Sequence, residues 1–207
     1  MKVAVVDYGL SNLTCVRAAI DRLGHDSTVA ARPEDLDGAD RIVLPGVGAF
    51  GDAMANLNAA GMVEALNEAV HSNGTPFLGI CLGAQLICKD SDEYGTHAGL
   101  GWADAHVRKL EPGAASLRVP HTGWDDVEAE GESALFRDVP DDALFYYTHS
   151  HAIHANDPAI VRGACDYGDR FAAVLQVGGN IHATQFHPET SQKYGLAMLG
   201  NFLERCG

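Results

Sequence analysis

The sequence predicts an α/β fold in which helices flank a mostly parallel central sheet and an additional antiparallel β portion follows. The first half alternates short apolar runs with segments whose apolar residues recur at helical spacing, a pattern typical of βαβ units. From Trp102 to His187 strand patterns predominate instead. A chain of 207 residues with 46% hydrophobic content can bury a sizeable core, so we expect a single domain over residues 1–207.

The predicted elements begin with a strand at Val3–Val6 and a helix over 13–23, whose apolar residues repeat at helical spacing. Gly24 is typical of the residue that ends such a helix. A longer helical segment over 52–72 is interrupted at Gly61. Further strands are predicted at Thr28–Ala31, Arg41–Leu44, Thr75–Ile80, Ala103–Leu110 and Leu144–Thr148.

The C-terminal part of the chain is predicted to form a hairpin and a last helix. The turn signal Gly178-Gly179-Asn180 separates two strand-like runs, Ala172–Val177 and Ile181–Phe186. Ser191 is expected to cap the last helix with its side chain. The apolar residues that dock this helix on the sheet are Leu196, Leu199, Phe202 and Leu203.

The charge balance and the hydropathy pattern limit the possible partners. The formal charge of −14 and the pI near 4.9 argue against nucleic acid, whose binding depends on clustered Lys and Arg. No apolar run in the sequence approaches the roughly 20 residues that span a bilayer. Met1–Val6 enters a strand without a cleavable signal. We therefore expect a cytoplasmic protein that binds neither nucleic acid nor membrane.

The cysteines and histidines do not predict a metal site. Five cysteines, an odd number without a C-x-x-C pair, argue against a disulfide framework and a cysteine zinc site. His149, His151 and His154 lack the spacing of zinc motifs, and we expect surface or interface histidines. Four cysteines are expected to be small buried hydrophobic residues: Cys15, Cys88, Cys165 and Cys206.

Residues 46–51 formally satisfy the pattern G-x-G-x-x-G after a strand, which is found at dinucleotide sites. A Rossmann unit also carries an acidic residue on the next strand, whereas Glu64 and Glu68 fall inside the helical segment that precedes it. The sequence also lacks the phosphate-binding pattern G-x-x-x-x-G-K-[ST]. We therefore expect no nucleotide and no other cofactor.

Cys81 is the candidate nucleophile. It lies in Gly79-Ile80-Cys81-Leu82-Gly83, directly after the apolar run Pro76–Leu78 and before a helix-like stretch. Small residues on both sides relieve crowding at such a strand-to-helix turn, as in the G-x-S-x-G nucleophile elbow. A helix that begins near Leu82 would direct its free N–H groups and positive dipole end at the sulfur and favour the reactive thiolate.

His187 and Glu189 supply the groups that a nucleophilic cysteine needs. If both lie on extended backbone, their side chains point to the same side, because strand side chains repeat every two residues. The imidazole of His187 can then act as the base for Cys81 while the carboxylate of Glu189 orients it.

Gly79–Gly83 together with His187-Pro188-Glu189 resembles the class I, or triad, glutamine amidotransferases. The resemblance implies a flavodoxin-like fold and hydrolysis of L-glutamine to glutamate and ammonia through a glutamyl thioester on Cys81. It extends from residue 6 to about residue 202 and is strongest to one family, the glutaminase subunits of imidazole glycerol phosphate synthase. The segments that resemble this family are Val6–Gly9, Ser11–Leu13, Leu44–Met54, Val119–Trp124 and Tyr146–Ser150.

The resemblance also implies further site residues. The backbone N–H groups of Val47, Gly48 and Leu82 would form an oxyanion hole, which stabilises charge that develops on the amide carbonyl oxygen. The implied glutamine-binding residues are Gln85, one helical turn after Cys81, Glu93, which would hold the substrate ammonium, and Tyr147, His149 and Ser150. The implied partner-facing residues are Asn12, Trp124 and Tyr146.

The partner that the resemblance implies is a (β/α)₈-barrel cyclase subunit, which would use the ammonia to form imidazole glycerol phosphate and AICAR in histidine biosynthesis. Thr190 stands where the family usually has a lysine, and three other positions also depart from it. These are Thr122, Thr148 and His151. Two alternatives stay open: a paralogue that supplies ammonia to a surface-sugar amidotransferase, and a stand-alone cysteine hydrolase of γ-glutamyl compounds.

Overall fold

The computed structural model describes residues 1–113 and 117–206. The helices are α1 (Leu13–Arg22), α2 (Phe50–Ala59), α3 (Met62–Asn67), α4 (Leu82–Leu86) and α5 (Gln192–Arg205). The strands of the first half are β1 (Lys2–Val6), β2 (Asp26–Ala30), β3 (Arg41–Leu44), β4 (Phe77–Ile80), β5 (Asp90–Ser91) and β6 (His97–Ala98). The remaining strands are β7 (Ala105–Lys109), β8 (His121–Asp125), β9 (Glu128–Ala129), β10 (Phe145–His149), β11 (His151–Ala155), β12 (Val161–Asp166), β13 (Arg170–Val177) and β14 (Ile181–Thr184).

The described residues form a main sheet of eight strands in the order β2-β1-β3-β4-β14-β13-β12-β9. The pairs from β2 to β14 are parallel, and those from β14 to β9 are antiparallel. The first four strands follow the order 2-1-3-4 of doubly wound, flavodoxin-like sheets, in which functional groups collect at the carboxyl ends of the strands. The α/β fold with a parallel sheet and an antiparallel extension is therefore confirmed.

Two smaller sheets lie beside the main sheet. One pairs β8 with β10, and the other has the order β11-β7-β5-β6. The predicted hairpin is present, with Gly178 in the left-handed region at φ 59° in its turn, although the second strand ends at Thr184 rather than Phe186. Except for β5 and β6, the strands of these sheets come from the part of the chain where strand patterns predominate.

Helices cover both faces of the parallel part of the sheet, because side chains along a strand alternate between faces. Val3 and Val5 pack with residues of α1 and α5, whereas Ala4 and Val6 pack with residues of α2 and α3. The predicted break of the long helical segment is confirmed, since Gly61 adopts φ 67° between α2 and α3. A π-helical turn, Glu68–Ser72, then extends α3.

Three of the four cysteines that were predicted to be buried are buried in the structure. All five cysteines are free thiols, and the buried ones include Cys88, Cys165 and Cys206. Cys15 is half-buried, so its assignment as a buried residue was wrong, because it lies on α1 between the exposed Thr14 and the buried Val16. Among the described helices, none is long and apolar enough to cross a membrane.

Three buried histidines are held neutral by the fold. Burial lowers the pKa of His121 to about 4, that of His149 to about 3 and that of His182 to about 4. His149 is only 6% exposed, so the prediction of a surface or interface histidine was wrong at this position. Its ring packs against Phe171 and His121 in an aromatic cluster.

These histidines predict that the folded state loses stability in acid. Because their pKa values are lowered on folding, the unfolded chain binds protons more readily, and their contribution is fully present above about pH 6.5. It is lost as the pH falls from about 6.5 towards about 4. The substitution His182→Leu should make the free energy of unfolding fall less steeply in this window, by up to about 1.4 kcal/mol per pH unit. Urea unfolding at several pH values measures this slope, and equal slopes in both proteins would contradict the prediction.

Candidate active site

Cys81 occupies a strained turn between β4 and α4. Its backbone lies at φ 51° and ψ −105°, a conformation that side chains other than glycine rarely adopt. A Cβ atom on Gly79 would lie 2.6 Å from the carbonyl oxygen of Gly83. A Cβ atom on Gly83 would clash with the carbonyl oxygen of Leu44. The two glycines therefore permit the close strand-helix packing of a nucleophile elbow.

The main sheet brings His187 next to Cys81. Strand β14 pairs in parallel with β4, and the backbone N–H of Cys81 donates to the carbonyl oxygen of Thr184 at 2.8 Å. The chain then continues three residues to His187. Its Nδ1 lies 2.9 Å from Oε1 of Glu189, and both side chains are buried. The structure thus brings together the three residues that the sequence predicts as nucleophile, base and orienting group.

The contact between His187 and Glu189 does not arise from extended backbone, so that part of the prediction was wrong. The prediction assumed extended backbone, but Pro188–Thr190 is a short 3₁₀ turn. The turn itself brings the carboxylate back to the imidazole. The helix after Cys81 is short, since α4 ends at Leu86, so its dipole at the sulfur is weaker than that of a longer helix.

The electrostatics of His187 favour an imidazolium. Burial lowers the pKa of His187, but the negative charge of Cys81 and the hydrogen bond and charge of Glu189 outweigh it. The net effect raises the pKa of His187 above its ordinary value. Nε2 of His187 is buried and makes no well-formed hydrogen bond among the described residues.

Ser191 supports the base and does not cap α5. Its hydroxyl donates to the carbonyl oxygen of His187 at 2.6 Å and accepts from the backbone N–H of Tyr146 at 2.9 Å. The backbone N–H of His187 donates to the carbonyl oxygen of Tyr146 at 3.0 Å. The predicted side-chain cap at Ser191 was therefore wrong, because its hydroxyl is used to fix the segment that carries His187 to β10.

Cys81 opens into a cavity of about 450 Å³. Its lining includes four of the predicted substrate-binding residues, Gln85, Glu93, His149 and Ser150. The remaining lining residues are Val47, Gly48, Leu82, Pro120, Thr148 and His151. A cavity of this size accommodates a small molecule.

Gln85 and Glu93 are both fixed by hydrogen bonds in this cavity. The amide Nε2 of Gln85 donates to the carbonyl oxygen of His151 at 2.7 Å. Oε2 of Glu93 accepts from the backbone N–H of Phe50 at 2.7 Å. Each polar side chain is therefore positioned before any ligand binds.

Tyr147 does not line the cavity, so its predicted contact with glutamine is not supported. Its side chain is 0% exposed and stacks on His121 at 4.6 Å between ring centroids. It also packs against Phe186 and Phe171. The side chain of Tyr147 is buried in the core, whereas the next two residues of the chain, Thr148 and His149, line the cavity.

The segment that was predicted to supply the oxyanion hole is only partly available. The backbone N–H of Val47 donates to the carbonyl oxygen of Leu10 at 2.9 Å, so it does not point into the cavity. Gly48 lies at φ 108° beside Cys81, in a region that favours glycine. The prediction that the N–H of Val47 belongs to the oxyanion hole was therefore wrong for the described conformation. Gly48 and Leu82 line the cavity as expected.

Two residues near the sulfur were missed by the sequence reasoning. The amide Nε2 of Gln185 lies 3.9 Å from Sγ of Cys81, and its Oε1 accepts from Gln85 at 3.2 Å. The hydroxyl of Tyr8 donates to the carbonyl oxygen of Pro45 at 2.9 Å, where it supports the segment that leads to Gly48. A usable signal existed for Tyr8, because it follows a parallel strand and therefore lies at the carboxyl edge of the sheet.

The predicted partner-facing residues lie at the surface. Trp124 is 44% exposed and meets the half-buried Tyr146 edge to face at 5.8 Å, and these two residues face each other across the β8–β10 pair. Asn12 is exposed and precedes α1, which contacts the turn Pro188–Thr190. A cavity of about 320 Å³ beside Trp124 also includes the exposed Leu144. Among the described residues no cluster of His, Cys, Asp and Glu is arranged to hold a metal ion.

Comparison with known proteins identifies the same class of enzyme. The family described as glutamine amidotransferase class-I matches residues 4–206. Subunit HisH of imidazole glycerol phosphate synthase from Moorella thermoacetica is 44% identical over 202 residues, with 98% of this chain and 94% of that protein covered. The same subunit from Caulobacter vibrioides is 41% identical over 208 residues, with coverage of 98% and 97%.

Solved structures support the fold. PurLQS from Thermotoga maritima is similar with a TM-score of 0.75 and 18% identity, with 98% of this chain and 97% of that chain covered. A glutamine amidotransferase from Thermotoga maritima has a TM-score of 0.67 and 17% identity, with coverage of 99% and 97%. At these identities the likeness concerns the fold alone.

The close packing at the elbow predicts that Gly83→Ala disrupts both stability and catalysis. The added methyl group would meet the end of β3 at Leu44, and relieving that clash should cost about 1–3 kcal/mol. Gly179→Ala is a matched control, because a Cβ at Gly179 meets nothing within 4 Å. Thermal unfolding and glutamine hydrolysis measure the two effects. If Gly83→Ala were as stable and as active as Gly179→Ala, the packing argument would fail.

Proposed function

The chain belongs to the class-I glutamine amidotransferase family, and we propose that it is the glutaminase subunit of an imidazole glycerol phosphate synthase. The observation that carries this proposal is the arrangement of Cys81 on a strained elbow, beside a buried His187 that contacts Glu189, at the base of a cavity. We also propose that the whole chain acts as one glutamine amidotransferase domain, because one family match extends over residues 4–206.

In the proposed mechanism the sulfur of Cys81 attacks the side-chain amide carbon of glutamine. The carbonyl oxygen takes up negative charge in the tetrahedral adduct, and backbone N–H groups of Gly48 and Leu82 stabilise it. His187 then donates a proton to the leaving nitrogen, and ammonia departs from a glutamyl thioester. Water that gives a proton to His187 attacks the thioester carbon, and the C–S bond breaks to release glutamate, which restores the Cys81 thiolate and the His187 imidazolium. Glu189 keeps the imidazole oriented in both steps.

The remaining cavity residues are assigned to substrate binding. Glu93 holds the α-ammonium of glutamine, because it is the carboxylate that lines the cavity. Gln85, His149 and Ser150 contact the rest of the amino acid. Burial lowers the pKa of His149 to about 3, so this imidazole stays neutral and adds no charge near the substrate.

We propose that the ammonia passes to a partner protein, because none of the residues that line this cavity could carry out the reaction that consumes it. The names of relatives at 41–44% identity place them in imidazole glycerol phosphate synthase. By this analogy the partner is a (β/α)₈-barrel cyclase that forms imidazole glycerol phosphate and AICAR in histidine biosynthesis, in the cytoplasm. The exposed Trp124, with Tyr146 and Asn12, is the proposed docking surface.

Partner binding is also proposed to complete the oxyanion hole. In the described conformation the N–H of Val47 is bonded to Leu10 and turned away from the cavity. A change of backbone state in Pro45–Phe50 would free this donor, and a ligand that prefers the changed state shifts the equilibrium towards it. The isolated chain should therefore hydrolyse glutamine slowly, and the partner with its acceptor ligand should raise the rate by orders of magnitude.

The chemical assignment is tested by substitutions in the triad. Cys81→Ala should abolish glutamine hydrolysis without unfolding the chain, and His187→Ala should be nearly as severe. Glu189→Gln should be milder, because an orienting group contributes less than a nucleophile or a base. Glutamate release measures the rates, and a diazo-ketone analogue of glutamine should label Cys81 alone.

Cys15→Ala is the matched control, because Cys15 is a half-buried thiol on α1. It should keep the wild-type rate of hydrolysis. Full activity in Cys81→Ala would exclude Cys81 as the nucleophile. High activity of the isolated wild-type chain that no partner changes would instead favour a stand-alone γ-glutamyl hydrolase.

The docking surface is tested by Trp124→Ala, which removes a large aromatic side chain that suits an interface. Loss of this side chain should weaken binding to a histidine-pathway cyclase by about 2 kcal/mol or more, because aromatic residues often dominate interface energies. The hydrolysis rate of the isolated chain should change little. Calorimetric titration at low and high salt measures affinity, and because Thr190 lacks the lysine charge, binding should depend less on salt than in relatives that carry the lysine.

Val29→Ala is the matched control for this experiment. Val29 is 37% exposed on β2, the outer strand of the main sheet, and its loss should not change affinity. Equal affinities of wild type and Trp124→Ala would place the interface elsewhere. A chain that does not bind the cyclase at all would favour a paralogue that supplies ammonia to a surface-sugar amidotransferase.

A further inference from the structure

The imidazole of His151 lies between two carboxylates at the edge of the Cys81 cavity. Its Nδ1 is 3.5 Å from Oε1 of Glu93, and its Nε2 is 3.9 Å from Oδ1 of Asp92. The side chains of His151 and Glu93 are each 15% exposed, whereas that of Asp92 is 49% exposed. The closer and better-buried contact of the imidazole is therefore the one with Glu93, which also lines the cavity.

The carboxylate of Glu93 is held from both sides. Oε2 accepts the backbone N–H of Phe50 at 2.7 Å, while Oε1 faces the imidazole of His151. A glutamate side chain has many rotamers when it is free, and ordering it costs conformational entropy. When two neighbours fix it before a ligand arrives, that cost does not reduce the affinity of the ligand.

His151 is itself fixed through its backbone. Its carbonyl oxygen accepts from Nε2 of Gln85 at 2.7 Å and lies 2.9 Å from Nδ1 of His149. It also begins β11, where it pairs with Lys109 of β7. The imidazole thus extends from a rigid strand end, which suits a group that must hold another side chain in place.

We propose that His151 is a positioning residue, which holds the Glu93 carboxylate in the orientation that receives the α-ammonium of glutamine. This inference rests on the proposed function, which assigns Glu93 to that ammonium. Each carboxylate oxygen has two acceptor sites, so Oε1 can receive an N–H from His151 and one from the substrate together. The distance of 3.5 Å is slightly longer than a good hydrogen bond and shortens with a small rotation of either side chain.

His187 and His151 have different roles, because they contact different groups. His187 interacts with the sulfur and with Glu189, whereas His151 faces Glu93 and Asp92. His151 therefore takes no part in proton transfer. Its loss should weaken recognition of the ammonium and leave the attack on the amide intact, so the effect should appear in KM rather than in kcat.

The experiment compares two substitutions of this imidazole. His151→Phe keeps a flat ring but removes the N–H donors, and His151→Asn keeps an amide N–H near the position of Nδ1. Glutamine hydrolysis by the isolated chain gives kcat and KM for L-glutamine. Glutaramate, which is glutamine without its α-amino group, serves as a competitive inhibitor whose Ki does not depend on the ammonium.

His151→Phe should raise KM for L-glutamine about tenfold, the typical effect of losing a hydrogen bond to a charged group, with kcat within about twofold of wild type. The Ki of glutaramate should change by less than about twofold, because this inhibitor has no ammonium to bind. His151→Asn should return KM to within about threefold of wild type, because it restores one donor.

A rise in KM and in the Ki of glutaramate by the same factor would overturn the inference, since it would show a change of cavity shape. An unchanged KM in His151→Phe, or no recovery in His151→Asn, would also overturn it. The proposed function is decided separately by Cys81→Ala in the same assay. If Cys81→Ala is inactive while His151→Phe keeps the wild-type KM, the proposed function stands and this inference alone fails.

Discussion

The site depends on one close approach of backbone to backbone, where the first turn of α4 packs against the end of β3. A side chain at Gly83 would clash with the carbonyl oxygen of Leu44, and one at Gly79 would clash with Gly83. With the helix this near the sheet, the chain reverses within one residue, and Cys81 takes up the strained φ of 51°. The strain is tolerated because the surrounding sheet is rigid and its core is buried on both faces.

The base depends on the antiparallel part of the fold as much as on the parallel sheet. Pairing of β14 with β4 places Thr184, three residues before His187, beside Cys81. The orientation of this segment depends on other parts of the chain, because Ser191 and the backbone of Tyr146 hold the segment of His187 by three hydrogen bonds. The 3₁₀ turn then brings Glu189 to the imidazole. The nucleophile is thus positioned by local packing, and the base by contacts between distant parts of the chain.

This difference explains how much could be predicted from the sequence. The alternation of patterns and the glycines around Cys81 record local requirements, so the order of the elements, the break at Gly61 and the elbow were all predictable. The bond of Val47 to Leu10 and the burial of Tyr147 depend on how separate segments meet. Neither spacing nor residue type reveals such contacts. The cap assigned to Ser191 failed for the same reason, since a serine before a helix is typical of a cap unless a neighbouring strand engages its hydroxyl.

Strand β10 connects the proposed docking surface to the catalytic base. The ring of Tyr146 packs against the exposed Trp124, and its centroid is 6.5 Å from that of His187. The carbonyl oxygen of the same residue accepts the backbone N–H of His187. A partner that covers Trp124 therefore acts on a residue that already holds the base. Within the cavity lining, the carboxylate of Glu93 accepts the backbone N–H of Phe50, at the end of the segment that carries Gly48. The proposed docking surface and the proposed substrate-binding residue Glu93 are thus each connected to the catalytic groups by contacts that the fold has already formed.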